Sequence, residues 1–559
     1  MIEPGKLAIP EMVDEAWTVT ATAAACAVLL VMSTPFLRKV VSRVQEYACG
    51  VAADHQHHKH CMPLPPGSLG LPCLGESLTL KSQGQKFWIS RQQLYGDIFK
   101  THLFGYPSIV VAGPDAARFV MVEQASSFRQ RGLPIIEKLL GSSFFGYQHE
   151  KVHANFRKIL HGPLLPEALE RSIPAVEAIA IDILKHWDGK IVNTLEEARK
   201  YVFKVAMEFV VGAAPPDEKE ELTRACERLI RGVSSLPVNI PGSNYYKAIK
   251  LIGRNFVYIK GSRIYVSCSN FMRLRQRRSL MKMQESRRKA CALLDKIMSF
   301  RSWQDENTGK ILSNDGAGDI LGLMMMLEDE NGCNLQVEEI YDNILTFLYS
   351  AYDSSAAALC WTIKALTEHP ELLAQVQAEH EMISAKKSYD ENIKWYDIKE
   401  QMQLTIRVIK ETLRIANVVE FSYREALEDV PYKGIVFPKG WRVIIAHAAY
   451  HMDPKYFPQP QEFDSSRFRV HPKLFSFTPF GSGPHVCMGR ELLHLQLLVF
   501  IHHLVLKYSW EQHGSEDGSE FLPVHVPKRG FPIQVKRRGK GRSFGSDWKE
   551  DPVHKSPFY

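Results

Sequence analysis

The sequence predicts a mainly α-helical protein with small β-sheets, built as one large body behind an N-terminal membrane anchor. Three observations lead there. Residues 17–37 run for twenty-one positions without a charge. Helical spacing of apolar residues continues through most of the chain beyond residue 76 without a convincing linker. Runs rich in Val, Ile, Phe and Tyr occur at 98–112, and short strands return after Pro431. A length of 559 residues allows several domains, yet the unbroken periodicity makes one domain the simpler reading. Composition is that of an ordinary globular protein, 45% hydrophobic and 23% charged, with no internal repeat. The net charge of +7 is modest and no aromatic-interleaved basic platform stands out, so nucleic acid is not an expected partner. The ten cysteines lack CxxC or finger spacing, which argues against a disulfide scaffold and structural zinc and for a reducing compartment.

Taken in order, residues 1–40 read as the anchor. A helix over 17–37 is long enough for a hydrocarbon core of roughly 30 Å. Acidic Glu11, Asp14 and Glu15 precede it and basic Arg38, Lys39 and Arg43 follow, which leaves the body on the cytosolic side. A cleaved signal peptide is the competing reading, disfavoured because the segment lacks a basic leader. Residues 41–76 read as linker and hinge. They include the solvated run His55-Gln-His-His-Lys-His60 and the proline-rich 63–72, whose prolines stiffen the backbone. The body is expected over 77–535, opening with two strands joined at Gly105-Tyr-Pro107 and then mostly helical until Pro431. A basic, disordered tail is expected over 536–559. The basic runs 273–289 and 536–542 are read as solvated faces, with membrane lipid or an acidic protein as the alternative.

One thiol carries the chemistry. Cys487 lies in Phe480-Gly-Ser-Gly483-Pro-His485-Val-Cys487-Met-Gly489, directly before an apolar helical pattern over 492–506. Glycines let a backbone pass close beneath a flat macrocycle and adopt positive φ. N–H groups at the helix start favour a thiolate over a thiol. Such a sulfur can ligate haem iron, and a thiolate ligand favours O–O cleavage, so the loop implies oxygen activation. The plain alternative is a buried structural cysteine.

Further segments bear on that reading. Glu411 and Arg414 stand three apart on a helical pattern and share a face. Phe463-Asp-Ser-Ser-Arg467-Phe468 offers a second arginine among aromatics. The long apolar helix over 338–366 is interrupted by Ser350-Ala-Tyr-Asp353-Ser354-Ser355, and an acid there is expensive unless it has a task. Asp353 beside Ser354 suits the relay of protons to a distal oxygen, with a helix cap or a satisfied core acid as the alternative.

Together these segments resemble the cytochrome P-450 family over almost all of 65–508. The loop resembles the haem-thiolate signature, with Cys487 as axial ligand and Phe480, Gly483, His485 and Gly489 against the cofactor. Glu411, Arg414 and Arg467 match the ExxR helix and the PERF-like segment and imply a structural triad. The 350–355 cluster resembles the oxygen-activation motif, departing from it at Ser350, Ala351 and in serine for threonine, so Asp353 and Ser354 are the expected catalytic pair. His153-x-x-x-Arg157 matches the WxxxR helix with His for Trp. With His485 and Arg424, these residues are candidates for the haem propionates, against which stands the reading of each as a surface charge.

The resemblance implies haem b (iron protoporphyrin IX), a small apolar polycyclic substrate, and an endoplasmic reticulum membrane protein with its body in the cytosol. No flavin or nicotinamide fingerprint is present, so electrons from NADPH are expected through the partner NADPH-cytochrome P-450 reductase. Within the family, 238–242, 369–371, 378–383, 437–441 and 451–454 most resemble oxidases of ent-kaurenoic acid in gibberellin synthesis. The loop to Cys487 and Phe421-Ser-Tyr-Arg-Glu425 also resemble abscisic acid 8'-hydroxylases, and brassinosteroid and triterpenoid oxidases share much of the rest. A haem-thiolate isomerase or dehydratase and an inactive haem sensor remain as alternatives. Residues 251–282 do not fit the family pattern and read as an insertion that splits one amphipathic helix.

Overall fold

A computed structural model of the chain describes residues 62–70, 75–131, 140–141, 150–234, 267–308, 319–327, 334–388, 391–515, 518–521 and 524–539, with single positions at 143, 144 and 146. The expected anchor, the histidine-rich run, residues 251–266 of the expected insertion and 540–559 lie outside them. Among the described residues no helix is long and apolar enough to cross a membrane.

Helices dominate. In chain order the main elements are α1 (Ser77–Gln83), α2 (Gln85–Tyr95), β1 (Ile98–Leu103), β2 (Tyr106–Val111), α3 (Pro114–Arg118), β3 (Phe128–Arg129), α4 (Glu150–Leu160), α5 (Pro166–Leu184), β4 (Ile191–Asn193), α6 (Thr194–Val210), α7 (Pro216–Ser234) and α8 (Ser267–Thr308). They continue with α9 (Ile320–Met325), α10 (Val337–Glu368), α11 (Pro370–Ala385), α12 (Gln403–Ala416), β5 (Ser422–Ala426), β6 (Val430–Tyr432), β7 (Ile435–Phe437), β8 (Arg442–Ile445), α13 (His447–His451) and α14 (Arg490–Lys507). Strands β9 (Tyr508–Gln512), β10 (Ser519–Phe521), β11 (His525–Pro527) and β12 (Pro532–Arg537) close the chain. The largest sheet runs β1-β2-β8-β5-β3, antiparallel except for β2 beside β8. A second joins β4, β12 and β9.

Helix α10 is the spine. Gln336 and Glu339 close a reciprocal capping box that satisfies donors at its start. Its first half, through Tyr352, lies in a core with α7, α8 and α9. Its second half, from Ala356, lies in another with α5, α12 and α14. The polar run 350–355 therefore sits at the seam of two apolar cores, and Met488 packs against both. Helix α14 is buried around its circumference, Leu492, Leu495, Leu498, Phe500 and Ile501 included, as expected of an inner helix.

Several boundaries differ from expectation. Pro65 and Leu69 are buried, Lys100 N–H donates to Pro66 O at 2.8 Å, and Gly67 bridges to Lys100, so the body begins inside the proline-rich stretch rather than at 77. Prolines stiffen that chain, but its apolar side chains find a sheet edge to dock on. Strands are also present before Pro431, at β3, β4 and β5. The terminal strand reaches Arg537, held by pairing with β9, so the basic tail cannot start at 536. Residues 267–282 of the expected insertion belong to α8, which runs unbroken to Thr308.

Candidate active site

The loop to Cys487 is shaped by its neighbours. Gly481 and Gly483 have φ of 72° and 70°, and a Cβ on Gly483 would stand 2.0 Å from Met121 O, so no other residue fits there. Cys487 N–H donates to Phe480 O at 2.9 Å and closes the turn. Phe480 stands edge-on to His494, ring centroids 5.5 Å apart. Gly489 departs from the expectation of positive φ: it is the residue before α14 with φ −80°, and its N–H donates toward Cys487 Sγ.

Cys487 has exposed surface, although the protein packed around its thiol disfavours the charged form. Burial pushes that thiol up, against the Gly489 N–H and the charges of Arg157 and Arg490. The Gly489 N–H at the helix start favours the thiolate, as the sequence predicts, but burial outweighs it.

Four basic groups from three elements stand near the sulfur. His153 and Arg157 come from α4, Arg424 from β5 and His485 from the loop. The His153 and His485 rings stack with centroids 4.2 Å apart. Burial and the neighbouring Arg157 and Arg424 lower His153 to about 4, and burial with Arg424, His153 and Arg157 lowers His485 to about 3. Arg424 is 5% exposed, donates to Tyr423 O at 2.7 Å, and is lowered by burial to about 10. Among the described side chains no carboxylate pairs with Arg157, Arg424 or His485, and His485 Nδ1 is buried without a partner. Two guanidiniums and an imidazole nitrogen, with no described carboxylate paired to Arg157, Arg424 or His485, suit a dianion.

Beneath the loop, Arg414 Nε and Nη2 donate to Glu411 Oε2 and Oε1 at 2.7 and 2.8 Å. Arg414 Nη1 donates to His451 O at 3.0 Å. His451 in turn accepts from Thr478 N–H on Nε2 at 3.0 Å, two residues before Phe480. The pair thus fixes the start of the loop through one intermediate. Arg467 Nε stands 3.3 Å from Glu411 Oε1 but is out of line for a hydrogen bond. Its Nη2 donates to Gln459 O at 3.0 Å instead. The triad is therefore one bidentate pair with a coulombic third member.

On α10, Asp353 is 4% exposed, and its Oδ1 accepts from Arg199 Nε of α6 at 2.9 Å and stands 2.7 Å from Arg199 Nη2. Ser354 Oγ donates back to Ser350 O at 2.9 Å inside an unbroken helix. The acid and the hydroxyl are adjacent in sequence but are not hydrogen-bonded to each other. Arg199 escaped sequence reading because nothing local marks it: its partner lies 154 residues away.

The sequence pattern of the Cytochrome P450 family matches residues 65–535. The chain belongs to the cytochrome P450 family. It is similar to abscisic acid 8'-hydroxylase 1 of Arabidopsis thaliana, 34% identical over 85% of this chain and 92% of the relative. Abscisic acid 8'-hydroxylase 3 of Oryza sativa subsp. indica is 37% identical over 89% of each. Among solved structures it resembles a retinoic acid-bound cyanobacterial CYP120A1, with TM-score 0.70 and 27% identity over 86% of this chain and all of the other. The relatives compared are hydroxylases and the protein is a P450 monooxygenase. They stand with the abscisic acid reading rather than the ent-kaurenoic acid reading that the sequence segments favoured.

Haem fits this P450's residues. The Cys487 thiol is open to an iron, and the two propionates answer the unpaired charge of Arg157 and Arg424 and the free Nδ1 of His485. An open groove lined by Arg171, Ser172, Glu208 and Asp319 contains none of these residues.

Proposed function

We propose that the protein hydroxylates abscisic acid at the 8' position, using dioxygen and electrons that an NADPH-cytochrome P-450 reductase delivers. The observation that carries this reading is 34–37% identity to abscisic acid 8'-hydroxylases along 85–91% of the chain. Haem bound to a cysteine thiolate supplies the activation of dioxygen. The residues of this chain do the rest. Cys487 holds the iron. Arg157, Arg424, His153 and His485 seat and orient the propionate edge, and Glu411 with Arg414 keeps the loop in register. Asp353 and Ser354 hold protons on the α10 side at the seam of the two cores. An anchor over 17–37 and a cytosolic body on the endoplasmic reticulum membrane belong to the same proposal.

The test is incubation of membranes carrying this protein and reductase with NADPH and labelled dioxygen. One arm receives abscisic acid and the other ent-kaurenoic acid. The expected product is hydroxylated abscisic acid with one labelled oxygen atom. Oxidation of ent-kaurenoic acid with abscisic acid untouched would overturn the substrate while leaving the family intact.

A further inference from the structure

Asp353 is one end of a closed circuit of side chains drawn from three helices. Arg199 of α6 reaches Asp353, as described, and its Nη1 donates to Glu196 Oε1 at 2.7 Å. Glu196 Oε2 accepts from Arg231 Nη2 of α7 at 2.7 Å. Arg231 Nε donates to Tyr352 OH at 3.2 Å, which returns the circuit to α10 beside Asp353. The Arg199 guanidinium also lies over the Tyr352 ring, 5.7 Å from its centroid. Glu196 and Arg231 are half-exposed, whereas Asp353 is buried. Every link has a guanidinium donor and is therefore charge-assisted, of the stronger kind.

The circuit makes Arg199 a shared cation. With Arg231 in place, Glu196 is balanced by two guanidiniums, and Arg199 can keep its Nε hydrogen bond and its Nη2 ion pair on Asp353. If Arg231 withdraws, Glu196 keeps only Arg199, draws it outward, and weakens the hold on the acid. Burial works against the charge of Arg199, but Asp353 and Glu196 more than offset it, so Arg199 remains the cation both acids compete for. Arg231 stands three residues before the end of α7, so the seating of that helix end decides which arrangement holds.

We propose that Arg231 is a positioning residue for Asp353, passing the seating of α7 on α6 to the acid of α10 through Glu196 and Arg199. Its catalytic consequence rests on the relay role given to Asp353 above; the mechanical link does not. The experiment uses the full-length holoprotein with reductase and the variants Arg231→Gln, Arg231→Lys, Glu196→Gln and Asp353→Asn, and the double variant Arg231→Gln/Asp353→Asn. Each is first checked for the parent's reduced carbon-monoxide spectrum.

Two quantities are read: amide hydrogen exchange over 350–355 in the resting protein, and the share of NADPH electrons lost as hydrogen peroxide. Arg231→Gln and Glu196→Gln should each speed exchange over 350–355 roughly threefold or more, the scale at which neighbouring groups couple. Both should raise the peroxide share. Arg231→Lys should recover part of each change, since a lysine keeps the charge but not the fork. In the Asp353→Asn background, Arg231→Gln should add no further peroxide. Exchange altered in α7 alone, with 350–355 at the parent rate in both single variants, overturns the proposal. A parental peroxide share in Asp353→Asn refutes the relay role instead, and leaves the link to be judged by exchange.

Discussion

Glu411 and Arg414 grip one another through two parallel hydrogen bonds of 2.7 and 2.8 Å, and neither side chain is exposed at all. Burial without water makes such a pair costly to break from one side. Glu411→Gln should therefore destabilise the protein by about 3–5 kcal/mol, because a guanidinium stays behind unpaired. Glu411→Gln with Arg414→Met should cost less than the sum of the single changes, because the fully buried Arg414 guanidinium is no longer left behind. Denaturant titration of the four proteins measures both.

Gly483 and Gly481 separate backbone strain from crowding. Both have positive φ, but an added Cβ meets Met121 O only at Gly483 and open space at Gly481. Gly481→Ala should cost about 1–2 kcal/mol for the left-handed backbone alone. Gly483→Ala should cost clearly more and lower haem content. Melting temperature and the haem-to-protein absorbance ratio report the difference.

Cys487→Ala should abolish the thiolate-type spectrum of the reduced carbon-monoxide complex, since no other cysteine lies in this loop. An unchanged spectrum in the folded variant would refute the assignment.

Arg424→Met tests the anion site. Its guanidinium is buried beside His485 and His153 with no described acid to pair with. Loss of one charged hydrogen bond to a propionate should weaken haem retention by about tenfold or more. Haem transfer to an acceptor apoprotein gives the rate. An unchanged rate would assign Arg424 to the scaffold alone.

Glu420 gives stability a pH dependence. It is 1% exposed, accepts from Trp88 Nε1 at 3.0 Å, and has a second oxygen without a partner. Burial, only partly offset by Trp88, raises it from 4.5 to about 7. Between those values the folded protein holds a proton that the unfolded chain has released. Its contribution is fully present below 4.5 and is lost as pH rises through about 7. Glu420→Gln should flatten that part of the urea-stability profile, by a few kcal/mol across the window. An equal slope in parent and variant would show that Glu420 is not the group responsible.

Local chemistry was enough to place much of the site. The glycine-framed Cys487, the Glu411 and Arg414 spacing and the polar interruption at 350–355 are marked by neighbours within a few residues, and the structure puts them in the elements expected. The long helices were legible for the same reason, since amphipathic spacing is a property of one segment. The edges were not. Pro66 and Gly67 join the body by pairing with Lys100 of β1, and Arg537 stays in a sheet by pairing with β9, events that depend on distant strands.

What the sequence by itself determined is therefore the family and the helical architecture, both encoded at short range, as is the loop that presents Cys487. Only the tertiary structure decided how the charges are shared. It gathered Arg157, Arg424 and His485 from three elements with no described carboxylate paired to them, and it gave Asp353 to Arg199 across 154 residues. Desolvation is the physical reason: a buried charge must find its partner in space, and no spacing along the chain records where that partner will be.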